Sequence, residues 1–217
     1  MTDFAAARTI MVDRQVRPSD VTSFPVIEAM LHTPRERFAP ASAVQVAYMD
    51  APIAIGGGRE MLEPRAFAKM IDAAGVGPDD LVLDLAPGYG YSTAVLSRMA
   101  AAVIAIEPDE DMARAAEAAL EAEEIDNAML RAGDAATGDP DHGPFDAIFV
   151  NGAVETVPEA LADQLKDGGR LVAIRMNGRH GEACVFTKGP GGLQARPIFD
   201  AMAPVLPGFE RAEEFAF

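Results

Sequence analysis

Leu81-Val82-Leu83-Asp84-Leu85-Ala86-Pro87-Gly88-Tyr89-Gly90-Tyr91 is the stretch on which the fold turns. An apolar run interrupted by one acid reads as a buried strand. It ends in a Gly-x-Gly turn and passes directly into a helical pattern from Tyr91 to Met99. Outward from it the same alternation repeats. Val103-Ile104-Ala105-Ile106 is a second strand, followed by an acidic helix from Asp109 to about Glu123. Ala128-Met129-Leu130 is a weak third strand, and Phe145-Asp146-Ala147-Ile148-Phe149-Val150 a strong fourth with a helix opened by Pro158 behind it. Gly169-Arg170-Leu171-Val172-Ala173-Ile174 is a fifth. Strands alternating with helices at this spacing give right-handed crossovers, hence a doubly wound, mostly parallel α/β sheet with helices on both faces. Glu182 to Thr187, the turn Gly189-Pro190-Gly191-Gly192 and a strand returning within Leu193 to Phe217 predict an antiparallel C-terminal edge, seven strands in all.

Upstream of residue 80 the texture is helical and broken by prolines. Phe4 to Val16 and Val26 to His32 read as short helices, the second with Ser23 as N-cap and Pro25 in its first turn. Ile53-Ala54-Ile55-Gly56-Gly57-Gly58 reads as a mobile or tightly bent loop, and Pro64 opens a helix whose apolar face is Phe67, Ala68, Met70 and Ile71. The expected organisation is one domain over 1–217, with 1–78 as a helical cap carrying the active-site loop and 79–217 as the core.

Ligands in such sheets bind at the carboxyl ends of the strands, where glycines let the backbone approach a nucleoside. Glu107 ends the second strand, 19 residues after Gly88, where a carboxylate can accept both hydroxyls of an adenosine ribose. Two cofactors compete for such a site, a dinucleotide and S-adenosylmethionine. The dinucleotide pattern wants a third glycine where Thr93 stands, and Asp84 beside the loop would repel a pyrophosphate. The same carboxylate attracts a sulfonium or an ammonium, which favours S-adenosylmethionine. Gly133-Asp134 after the third strand puts an acceptor where an adenine amino group would lie, although an Asx-turn is an equal reading of Asp134.

The chain has 217 residues, with 18 Lys+Arg against 34 Asp+Glu and a net charge of −16. That balance argues against a nucleic-acid or anionic-membrane footprint. Cys184, the single cysteine, lies in an apolar run and reads as a buried small hydrophobe. His32, His142 and His180 have no metal-ligand spacing, so no metal is expected. With no signal-like or membrane-spanning apolar run, a cytoplasmic protein is the expectation.

Over nearly its full length the chain resembles the protein-L-isoaspartate O-methyltransferases. The resemblance rests on Pro34-Arg35-Glu36-Arg37-Phe38-Ala39-Pro40, Ala47-Tyr48-Met49-Asp50-Ala51-Pro52 and Ile55-Gly56-Gly57-Gly58 ahead of the core. Within the core it continues through Asp84 to Tyr91, Ile106-Glu107, Gly133-Asp134, Pro144 to Ile148 and Leu165 to Val172. It implies a Rossmann-like methyltransferase that esterifies isoaspartyl residues of damaged proteins or peptides. S-adenosylmethionine would be held by Asp84, Gly88, Gly90, Glu107 and Asp134, with Ala86 and Ala135 from the same loops. The segment from Ile55 to Pro64 would cover the sulfonium and the acceptor carboxylate.

Three stretches depart from the family pattern. Where it usually reads Gln-Thr-Ile-Ser-x-Pro, this chain has Arg59-Glu60-Met61-Leu62-Glu63-Pro64, so Leu62 replaces a serine hydroxyl near the acceptor. Ala86 replaces the first glycine of the loop, and Asn151-Gly152-Ala153 replaces Thr-Ala-Ala. Methyl transfer to a carboxylate needs alignment and desolvation more than acid–base groups. Arg59 is a candidate to pair with the acceptor carboxylate and partly substitute for the hydroxyl, a solvated loop charge being an equal reading, and isoaspartyl methylation is expected to be weak rather than absent. A same-fold methyltransferase with another acceptor and a non-catalytic S-adenosylmethionine-binding protein are the rival readings.

Overall fold

The computed structural model describes residues 2–211. Helix α1 (Phe4–Met11) is capped by the Asp3 carboxylate, which accepts from the Ala6 amide. It continues through a π-helical turn (Val12–Val16) and a 3-10 turn (Arg17–Ser19), so the helical span expected to Val16 is present but irregular. Helix α2 (Phe24–His32) carries Pro25 in its first turn, while the Ser23 side chain makes no capping bond.

The glycine segment is not a free loop. Ile53–Gly56 (β1) and Arg59–Met61 (β2) form an antiparallel hairpin separate from the main sheet. Its turn residues Gly56, Gly57 and Gly58 lie at φ 103°, 60° and 72°, a path that only glycine follows without strain. Ile53, Ile55 and Met61 alternate inward and are buried in the core, which is what holds the hairpin down. Helix α3 (Pro64–Ala74) follows and buries the four apolar positions expected of it.

The remaining elements are β3 (Leu81–Leu85), α4 (Tyr91–Ser97), β4 (Ala102–Glu107), α5 (Glu110–Ala122), β5 (Ala128–Ala132), β6 (Phe145–Val154), α6 (Glu159–Asp163), β7 (Leu165–Asn177), β8 (His180–Gly189) and β9 (Gly192–Asp200). The seven-stranded sheet runs β5-β4-β3-β6-β7-β8-β9, parallel from β5 to β7 and antiparallel at β8 and β9. The expected returning strand ends at Asp200, and residues 212–217 lie outside those described.

Successive strand residues feed two cores. Val82, Val103, Ala105, Phe149 and Val172 pack with α3, α4 and α5, whereas Leu83, Leu85, Ile104, Ile148 and Leu171 face the other side. That second side is covered by Leu161 of the short α6 and by Leu206 and Phe209 of the C-terminal segment. Helices on both faces were expected, but the second face depends largely on coil. Cys184 sits fully buried there.

Candidate cofactor and acceptor site

Strand order reverses beside β3, so the carboxyl ends of β3, β4 and β6 open on one crevice. In-register pairing of Leu85 with Ile106 and with Val150 brings the next residues, Ala86, Glu107 and Asn151, to the same level. Gly88 and Gly90, at φ 63° and 91°, shape the turn into α4.

Asp84 is fully buried and accepts from Ser92 Oγ (2.7 Å), Thr93 Oγ1 (2.7 Å) and Asn151 Nδ2 (2.7 Å). Burial pushes its pKa from 3.8 to about 6; those three donors pull the other way, and the Glu107 charge adds to the rise. The native state thus keeps a proton that the unfolded chain has already released. The contribution of Asp84 to stability is greatest below the unfolded value and is lost as the pH climbs through about 6, by up to about 3 kcal/mol in all. Urea unfolding of wild type at pH 4.5 and 7 should show about 2 kcal/mol of that loss, the unfolded carboxyl being already mostly ionised at pH 4.5, and Asp84→Asn should lack it. Parallel pH profiles in the two proteins would remove Asp84 as its source.

Glu107, also fully buried, is the most heavily bonded carboxylate of the crevice. Its Oε1 accepts from Arg59 Nη1 (2.5 Å) and the Asp109 amide (2.9 Å). Its Oε2 accepts from Arg59 Nη2 (2.8 Å) and the Gly88 amide (2.7 Å). Arg59 Nη2 also donates to the Ala86 carbonyl at 2.8 Å, and Ala86 itself sits at φ 55°. Arg59 is neither the solvated loop charge nor the acceptor partner that the sequence offers: it is buried and folded onto Glu107, because the glycine turn brings β2 across the loop. The Glu107 oxygens expected to receive ribose hydroxyls are already engaged.

Asp134 braces its own turn, accepting from the Ala136 amide (2.9 Å) and Thr137 Oγ1 (3.0 Å), one bond on each exposed oxygen. Ala135 is buried and belongs to the apolar cluster on the second face of the sheet. Tyr91 is a packing residue, enclosed by Phe38, Phe67 and the Arg35 guanidinium 4.7 Å above its ring. Leu62 is buried, with its carbonyl accepting from Arg35 Nη2 at 2.6 Å. It lines two spaces: a narrow cavity of about 10 Å³ that reaches Ala86, Tyr91 and Asn151, and a wider cleft of about 430 Å³ bordered by Glu63, Arg179, His180 and Asp200.

Two polar residues of the site's framework are not evident from the sequence. Asn151 differs from the family pattern but had no role assigned; it donates to Asp84 and to the Leu85 carbonyl. Arg35, quoted only as part of a motif, is fully buried and ties the Ala47 and Leu62 carbonyls together. Its flanking prolines and Phe38 were the available signal. Among the described residues no group of three or more His, Cys, Asp or Glu could hold a metal ion, and no helix is long and apolar enough to cross a membrane.

In this conformation the hairpin leaves little free space between Leu62, Ala86 and Tyr91. Ile55 Cδ1 lies only 2.6 Å from where a side chain on Gly88 would begin, so the hairpin rests directly on the glycine turn.

Comparison with known proteins places these features. The family model described as protein-L-isoaspartate(D-aspartate) O-methyltransferase matches residues 8–194. A protein-L-isoaspartate O-methyltransferase of Pelotomaculum thermopropionicum is 41% identical over 169 residues, covering 78% of this chain and 74% of the relative. One from Methylorubrum extorquens is 44% identical over 170 residues, with coverage of 78% and 74%. A solved protein-L-isoaspartate O-methyltransferase superposes with a TM-score of 0.81 at 25% identity, over 94% of this chain and 66% of its own. A beta-aspartate methyltransferase of Plasmodium falciparum, solved in complex with S-adenosyl-L-homocysteine, shares the fold at a TM-score of 0.79 and 20% identity, over 96% of this chain and 100% of its own.

Proposed function

Because the chain belongs to the protein-L-isoaspartate O-methyltransferase family, we propose that it is an S-adenosylmethionine-dependent carboxyl methyltransferase acting on isoaspartyl residues of proteins or peptides, slowly for its family. The observation that carries this reading is the pair of buried carboxylates, Asp84 and Glu107, at adjacent strand ends beside the Gly88–Gly90 turn. When bound, the cofactor would supply a methyl group on a cationic sulfonium. On the protein side, Glu107 would hold the ribose once its present partner has left. Asp84 and Asn151 keep the floor of the crevice rigid, and Leu62 excludes water at the junction with the wider cleft. The acceptor would enter through that cleft, where Arg179 supplies a cation for a carboxylate. A single buried Cys184 fits a reducing, cytoplasmic setting.

A different acceptor on the same fold is the second reading. It is favoured by Leu62, whose side chain offers an acceptor carboxylate no hydrogen bond. Labelled-methyl transfer to an isoaspartyl peptide, run beside its normal aspartyl twin, separates the two. Base-labile label is expected on the isoaspartyl peptide alone. Equal labelling of the twins, or base-stable label, would overturn the isoaspartyl reading.

A further inference from the structure

Both side chains that donate into the crevice from outside the β3–α4 unit, Arg59 and Asn151, lie where the chain departs from its family's pattern. We propose that Arg59 is the chain's own occupant of the ribose seat: the β1–β2 hairpin latches the crevice through the Arg59–Glu107 fork, and S-adenosylmethionine enters only by displacing it. The inference rests on the cofactor reading above.

The guanidinium presents a fork of N–H donors to the two oxygens of Glu107, the pattern that a ribose presents with its two hydroxyls. Its Nη2 also takes the Ala86 carbonyl. Family members carry glutamine at this position by the resemblance described above, which is shorter and neutral. The latch is built to move as a unit. Its ladder has three residue pairs, it belongs to no other sheet, and Gly57 and Gly58 have open space around them.

The closed state is also imperfect. Arg59 Nε is buried without a partner, so closure carries a desolvation penalty that opening relieves. Against this, lifting the hairpin exposes Ile53, Ile55 and Met61. The cofactor must therefore displace a charge pair and uncover apolar surface before it binds, which lowers its apparent affinity.

Calorimetric titration of the full chain with S-adenosyl-L-homocysteine tests this. Arg59→Gln is expected to bind roughly 10- to 100-fold tighter than wild type, the size of a lost charge-assisted fork. If the glutamine variant does not fold, Arg59→Lys keeps a cation beside Glu107 without the fork and should gain about tenfold. Equal, tight binding by wild type and variant would remove the latch and leave the cofactor reading standing. Absence of binding in both, with both folded, would remove the two together. Hydrogen exchange gives an independent readout in wild type at saturating ligand. Amides across 53–61 should exchange faster while those across 84–91 slow. Slowing at both would show a hairpin that closes over the ligand and would overturn the proposal.

Discussion

Replacing Glu107 with alanine is expected to lower the stability of the empty protein by about 3–5 kcal/mol, as for other buried charge pairs that lose one partner. Glu107 is 0% exposed and its two oxygens together accept from Arg59, Gly88 and Asp109. The alanine variant leaves a guanidinium that is 7% exposed with its charge uncompensated, and two amides without their acceptor. The position of Glu107 at a strand end suggests a residue devoted to the ligand, whose loss should spare the fold. The structure reverses that expectation. Glu107→Gln keeps one acceptor oxygen and the side-chain volume, so it should fall between wild type and alanine in urea unfolding. A change below 1 kcal/mol in the alanine variant would mean that Arg59 swings out to solvent, and that the hairpin is held by its apolar residues alone.

The sheet was legible because its strands are long apolar runs whose alternate residues face two cores. Val82 and Leu83, or Phe149 and Ile148, could be nothing but interior residues on opposite faces. The acidic helix announced itself through Asp109, which caps it with bonds to the Asp111 and Met112 amides. The hairpin was less legible. Three consecutive glycines specify a bend but not whether the flanks pair, and β2 is only three residues long. What pins it is burial of Ile53, Ile55 and Met61 against distant segments, a tertiary effect that local pattern does not carry.

The site divides in the same way. Asp84, Gly88, Gly90 and Glu107 follow from strand ends and spacing, and the structure brings them together. Asp134 makes the Asx-turn bonds that local chemistry always leaves open for an aspartate, with exposed oxygens that can each accept one more. Arg59 was the most consequential misplacement. A charged residue after a glycine turn reads as solvent-facing or substrate-facing. Only the folding of the hairpin onto β4 shows that its partner lies 48 residues later in the chain. Asn151 was missed for a related reason, since its partner Asp84 is 67 residues earlier.

Leu62→Ser restores the hydroxyl that the family pattern carries, and is expected to lower stability by about 3–5 kcal/mol without raising turnover by itself. Leu62 is 6% exposed and belongs to the main core, so serine leaves a void and a hydroxyl beside apolar neighbours. A fall in melting temperature of roughly 6–20 °C would accompany the loss for a chain of this size. Serine alone would speed isoaspartyl methylation only in a crevice that is already open. With Arg59 on Glu107 the limiting step lies upstream of acceptor alignment. The hydroxyl should therefore show its effect only where the latch is released. In an Arg59→Gln background, Leu62→Ser is expected to raise turnover on an isoaspartyl peptide by roughly tenfold, the worth of one hydrogen bond to a charged group in the transition state. Assays well below the lowered melting temperature keep unfolding out of the comparison. Should Leu62→Ser raise turnover equally in both backgrounds, the latch would have no hold on the reaction. No gain in either would show that the acceptor is not positioned by a hydroxyl at this point of the chain.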